Sequence, residues 1–181
     1  TQNFGGDYAP EAGTTEMPVN IYSITSTGGA DQISDLAAPV NGTNTGNFNA
    51  NAYDPVTQRF YFTVFGKYKT DDQAYNSPLY FNDLNGNQEY AGDLTGNAAS
   101  GPFYKGEYYY FADRTDDFYK VTFNSDGTIA TITKIADVLG NPGGFNVKTY
   151  LAFGDITVDP SDGTVYGSAT KVDGGNIFFK M

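Results

Sequence analysis

Apolar residues in this chain come in short runs dominated by aromatic and β-branched side chains, and each run ends at a cluster of Gly, Asn, Asp, Ser or Pro. Arg59-Phe60-Tyr61-Phe62-Thr63-Val64, Glu107-Tyr108-Tyr109-Tyr110-Phe111 and Phe118-Tyr119-Lys120-Val121 show the pattern. Such runs suit a pleated, half-buried surface, and the residues between them form turns by adopting positive φ or by capping with a side chain. Leu, Glu, Lys and Arg are scarce, so no long amphipathic helix is expected. Successive side chains of the Tyr108–Tyr110 run point to opposite faces of a strand. That predicts packing on both sides of the sheet instead of a one-sided binding ladder.

The runs recur as two kinds of hairpin. An outer hairpin opens with an aromatic strand at Ile21-Tyr22-Ser23-Ile24, Leu79-Tyr80-Phe81, Phe118-Tyr119-Lys120-Val121 and Ile177-Phe178-Phe179. Its first three copies close on an acidic-aliphatic pair: Asp35-Leu36, Asp93-Leu94 and Asp137-Val138. An inner hairpin turns at Asp54-Pro55 into Arg59–Val64, and again at Asp159-Pro160 into Thr164-Val165-Tyr166-Gly167. A tighter version runs from Gly101-Pro102-Phe103-Tyr104 through Lys105-Gly106 into Glu107–Phe111.

Four short antiparallel strands in every ~40 to 60 residues are the signature of a β-propeller blade. The expected class is therefore all-β, built of propeller-type four-stranded antiparallel blades. About three blades are present, with both ends of the chain inside a blade. Residues 1–17 read as an N-terminal extended segment and 18–181 as a partial propeller. Within it, 18–38 is an outer hairpin, 48–96 one blade, 101–138 a second, and 150–181 an incomplete blade.

The inner Asp-Pro hairpins feeding Leu/Phe-Tyr strands resemble the uncharacterised β-propeller-like repeat domains of large bacterial secreted and cell-surface proteins. The stretch Phe153-Gly154-Asp155-Ile156-Thr157-Val158-Asp159-Pro160 followed by Gly163-Thr164-Val165-Tyr166 carries this resemblance best. It implies surface display with an adhesion, matrix or structural role, and it brings no catalytic residues. A closed propeller has roughly four to eight blades. The chain is thus expected to be part of a longer polypeptide, or to complete its ring or sheet with another copy. In the second case Ile177, Phe178 and Phe179 form the assembly edge, an exposed apolar strand open to a dimer or a filament. A compact sandwich is the remaining architecture.

Charge narrows the partners. The 181 residues hold 10 Lys and Arg against 21 Asp and Glu, a net charge of −11. Nucleic acid and anionic membranes are repelled at long range, and no stretch approaches the ~20 apolar residues of a membrane span. Expected partners are protein, either itself or the remainder of a longer chain, or glycan. The tilt toward Asn, Thr, Gly and Tyr resembles secreted surface proteins, and Thr1-Gln2-Asn3 reads as a processed or cut end.

The chain has no Cys, His or Trp, which excludes a His-assisted Ser or Cys nucleophile and a His- or Cys-ligated zinc site. Carboxylate chemistry remains, with Asp155 as the first candidate for a glycoside-hydrolysing alternative, although an Asp after Gly154 at a strand entry also serves to hold backbone donors. The expectation is a non-enzyme. Calcium suits the oxygen-rich turns better than catalysis does, and Asp113, Asp116 and Asp117 are the candidate ligands. Asp83-Leu84-Asn85-Gly86-Asn87-Gln88-Glu89 is a second such turn, close to an EF-hand opening but with Gly misplaced. Two long loops on one propeller face supply candidate ligand-contacting residues: Tyr68, Asp71, Asp72 and Tyr75 in one, and Phe145 in the other. Asn41-Gly42-Thr43 is a lone glycosylation-type sequon.

Overall fold

The computed structural model describes residues 19–24, 30–36, 47–65, 76–96, 98, 100–112, 117–137, 150–171 and 175–181. Among them every regular element is a strand. A hairpin of β1 (Val19–Ile24) and β2 (Ala30–Leu36) comes first. A four-stranded sheet follows, of β3 (Asn47–Asp54), β4 (Arg59–Phe65), β5 (Pro78–Asn82) and β6 (Gln88–Asp93). The next sheet holds β7 (Phe103–Tyr104), β8 (Glu107–Phe111), β9 (Asp117–Phe123) and β10 (Ile129–Asp137). A three-stranded sheet of β11 (Tyr150–Val158), β12 (Val165–Lys171) and β13 (Asn176–Lys180) completes the order.

Every pairing is antiparallel and joins strands consecutive in the chain. First strands approach one another, β3 against β7, and last strands do the same, β6 against β10. Sheets stacked in that common order are propeller blades, and the all-β class with four-stranded antiparallel blades is the observed fold.

The Asp-Pro turns are closed by their own aspartates. Asp54 accepts from the Val56 amide at 3.0 Å and from the Thr57 hydroxyl at 2.6 Å. Asp159 does the same with the Ser161 amide at 2.8 Å and hydroxyl at 2.6 Å. A side chain that mimics the turn's backbone acceptor explains why Asp precedes Pro at both sites.

Among the described residues two aromatic cores lie between blades. Between the first two four-stranded sheets, Tyr61, Leu79, Phe81, Leu94, Tyr108, Tyr110 and Val121 are buried together. Between the second and third, Phe111 and Phe118 meet Ile156, Val165 and Ala169. Strand β8 serves both: Tyr108 and Tyr110 face one way, Tyr109 and Phe111 the other. The tyrosine run is thus inter-blade packing, as its alternation predicts.

Hydroxyls at the first interface explain why tyrosine, and not phenylalanine, fills these positions. Tyr108 donates to the Ala50 carbonyl at 3.0 Å, Tyr110 to the Thr95 carbonyl at 3.0 Å, and Tyr61 to the Gly127 carbonyl at 3.3 Å. Each bond gives a buried hydroxyl a partner contributed by another part of the interface.

Gly101 marks the closest approach. A Cβ there would lie 2.3 Å from both Cζ and the hydroxyl of Tyr108, a side chain with no room to retreat. Gly101→Ala is expected to cost about 1–3 kcal/mol by overpacking. Urea unfolding followed by circular dichroism checks it, and an unchanged midpoint would mean that the Tyr108 ring is free to move.

Candidate functional site

Most of the candidates read from sequence lie outside the described residues: Tyr68, Asp71, Asp72, Tyr75, Phe145, Asp113 and Asp116, together with segment 1–17 and the sequon at Asn41. Asp117 opens β9, where its carboxylate takes an ion pair from Lys134 at 2.6 Å and a hydrogen bond from the Tyr119 hydroxyl at 3.1 Å. The Asp83 turn is closed on itself. Its carboxylate accepts from the Asn85 amide at 2.8 Å, the Asn87 amide at 2.9 Å and the Asn87 side chain at 2.9 Å, which holds it below the usual carboxylate range. No group of three or more His, Cys, Asp or Glu placed to hold a metal occurs among the described residues. Asp155 is exposed on β11, at a bulge between Phe153 and Ile156. The Ile156 amide beside it donates to Ser100 Oγ at 3.0 Å.

The third candidate set, Ile177, Phe178 and Phe179, divides by alternation. Ile177 and Phe179 are half-buried against the second aromatic core, and Phe179 meets Phe111 edge-on at 5.5 Å. Phe178 points the other way and is 89% exposed. Val165 and Met181 exchange two backbone hydrogen bonds, at 2.9 and 3.0 Å. From that pair the antiparallel alternation turns the backbone groups of Phe179 and Ile177 toward β12, and those of Lys180, Phe178 and Asn176 outward. Strand β13 therefore combines an outward-facing row of amides and carbonyls with a bare phenyl ring. Among the described residues nothing pairs with that edge.

A further surface was not anticipated from the sequence. On the face of the first four-stranded sheet away from the inter-blade core, Phe62 stacks on Tyr80 at 5.8 Å, and Tyr80 meets Tyr90 at 5.5 Å with the rings inclined by 58°. Phe62 is fully buried, Tyr80 half-buried and Tyr90 50% exposed, so the row climbs from core to solvent across β4, β5 and β6. Asp93 joins it through a bulge. Tyr80 pairs with Tyr90 but Leu79 pairs with Gly92, which leaves Ala91 as the extra residue. Gly92 has a φ of +138°, a value favouring glycine. Simple alternation would turn Asp93 to the core side with the buried Ala91. The bulge instead sets its carboxylate beside Tyr90. Partial burial, a hydrogen bond to Asp93 and that carboxylate's charge push the Tyr90 hydroxyl up to about 12. Tyr80 is raised too, by burial and then by the Asp93 charge. The glycine before Asp93 was the available signal; Asp93-Leu94 read only as the close of a repeat.

Comparison with known proteins places the architecture and no more. No family model matches the chain, and no curated protein matches it. Among solved structures, a luciferin-regenerating enzyme superposes with a TM-score of 0.56 at 13% identity, over 89% of this chain and 54% of that one. A protein from Lactobacillus plantarum gives 0.52 at 11% identity, over 90% and 50%. A chain of a nidogen/laminin complex gives 0.46 at 13% identity, over 82% and 51%. The chain spans about half the length of the structures it matches. The first of them corrects the expectation of a non-enzyme. That expectation rested on missing His and Cys and on a resemblance that brings no catalytic residues, yet a protein of the same architecture is by its name an enzyme. At this identity no residue role transfers. What the likeness supports is the fold: the chain is a β-propeller module.

Proposed function

We propose that this module belongs to a secreted or cell-surface protein, serves a structural, adhesion or matrix role, and takes a further strand at the edge of β13, supplied by another chain or by the rest of a longer polypeptide. The outward edge of β13 carries this reading. Natural sheets blunt their edges with charge, proline or a covering element. Here the edge carries one charge, Lys180 at its end, and otherwise offers Asn176 and Phe178, with Phe178 almost fully in solvent. Strand addition uses such a row of amides and carbonyls for affinity and the alternate side chains for choice of partner. The neighbouring sheets have four strands, so a fourth strand on β13 repeats a geometry the chain already builds twice. The acidic surface agrees with a role among extracellular proteins, because it keeps the module soluble and away from polyanions.

The test separates backbone from side chain. Phe178→Pro removes an outward amide and spares every bond to β12, a substitution that edge strands accept. Phe178→Ser removes the ring and keeps the amide. The native chain is expected to form a discrete oligomer or polymer as concentration rises. The proline variant is expected to stay at the 19.5 kDa of a single chain with unchanged melting, and the serine variant to fall between them. Light scattering after size exclusion reads all three, and a native chain that stays monomeric at every concentration sinks self-assembly through this edge.

A further inference from the structure

We infer that Tyr80, Tyr90 and Asp93 form a docking site for a cationic side chain, lysine or arginine, carried by a basic segment of a protein partner. The geometry is that of a half-exposed aromatic pair with a carboxylate beside it. The two rings lie 5.5 Å apart and are inclined by 58°, and the Tyr90 ring keeps half of its surface in solvent. Phe62 stacks on Tyr80, and the bulge at Gly92 brings the Asp93 carboxylate to Tyr90, whose hydroxyl bonds to it. A cation over such rings gains from the ring quadrupole, and a carboxylate beside them adds a charge-assisted hydrogen bond.

The chain itself uses the same contact twice: the Arg59 guanidinium lies 4.9 Å from the Phe81 centroid, and Lys105 Nζ 4.9 Å from that of Tyr104. Among the described residues no cation of the chain lies over Tyr80 or Tyr90. The net charge of −11 supplies the long-range attraction for a basic partner. A neutral sugar also stacks on tyrosine and can donate its hydroxyls to Asp93, but it gains nothing from the acidic field, so the cation is the better fit. This inference does not depend on the β13 edge, which lies on another sheet.

The experiment titrates the chain, with its tyrosine rings isotopically labelled, against a short oligo-arginine peptide and reads the ring signals by NMR. A neutral malto-oligosaccharide serves as the competing probe. The expected result is a shift of the Tyr80 and Tyr90 rings with the peptide alone, weakening as salt is raised. Tyr90→Ala is expected to weaken peptide binding about tenfold. Asp93→Asn is expected to weaken it about fivefold, and Tyr90→Phe, which keeps the ring, to retain most of it.

Glu89→Gln provides the decisive control. It removes the same unit of charge from β6 but from the opposite side of the strand, where Glu89 is paired with Phe81. Its binding is expected to stay within twofold of the native value. Equal losses in Asp93→Asn and Glu89→Gln would overturn the inference in favour of diffuse attraction. Shifts with the sugar and none with the peptide would overturn it in favour of a glycan site. Melting curves on each variant confirm that the fold is intact.

Discussion

Replacing Tyr61 with alanine is expected to destabilise the module by about 3–5 kcal/mol, a large part of the 5–15 kcal/mol that holds a typical domain together. Tyr61 has no exposed surface and sits where three strands of two blades converge. Its ring lies 4.6 Å from Phe123, 5.1 Å from Phe103 and 5.4 Å from Phe81. Removing it leaves a void bounded by rings that themselves hold the interface, so collapse into the void would pull the blades out of register. Tyr61→Phe keeps the ring and loses the hydroxyl's bond to the Gly127 carbonyl and its contact with Arg59, at a cost of about 1 kcal/mol. Tyr53→Ala makes the contrast, because Tyr53 is 47% exposed and its loss should stay within about 0.5 kcal/mol. Urea titration of the three variants, followed by tyrosine fluorescence in a chain without tryptophan, orders them. If Tyr61→Ala and Tyr53→Ala unfolded at the same midpoint, the interface between blades would not be the source of stability.

Much of that interface was legible before any coordinates. Aromatic runs set between turn residues give strands, and a strand that reads Tyr108-Tyr109-Tyr110-Phe111 has no polar face to leave in water. It had to be covered on both sides, and it is. The Asp-Pro turns were equally readable, because Asp54 and Asp159 do locally what their sequence neighbours allow. The division of β13 into a half-buried side with Ile177 and Phe179 and an exposed one with Phe178 needed the pairing with β12.

What the sequence hid was anything that depends on one extra residue. Asp93 seemed to end a repeat, and only the bulge at Gly92 turns it from the core side to the tyrosine side. The same holds for Asp117. In the sequence it joins a run of oxygen donors, whereas the register of β9 against β10 brings Lys134 to it. Side chains distant in sequence meet by register, and register is a property of the whole sheet.

The module is expected to unfold steeply in alkali, beginning above pH 10. An unfolded tyrosine ionises near pH 10. In the folded chain burial pushes Tyr61 up to about 12 and raises Tyr108 and Tyr110 as well, since a phenolate has no place among aromatic rings. The sign follows from proton counting. Below pH 10 both states hold these protons and the contribution is fully present. Above it the unfolded chain releases protons that the folded chain keeps, so stability falls until the folded tyrosines themselves ionise.

Three fully buried hydroxyls, Tyr61, Tyr108 and Tyr110, give a slope of about 4 kcal/mol per pH unit in that window. Tyr90 is half exposed and left out of that sum. Tyrosinate absorbance and circular dichroism should be recorded together. Exposed tyrosines are expected to titrate first with little change in ellipticity, and the buried set to appear in one step with the loss of sheet signal. Tyr108→Phe removes one of those protons and should make the step shallower, even as the lost bond to the Ala50 carbonyl lowers stability at neutral pH. Smooth ionisation of every tyrosine near pH 10, with the sheet signal intact, would mean that water reaches these hydroxyls and that the blades do not close over them.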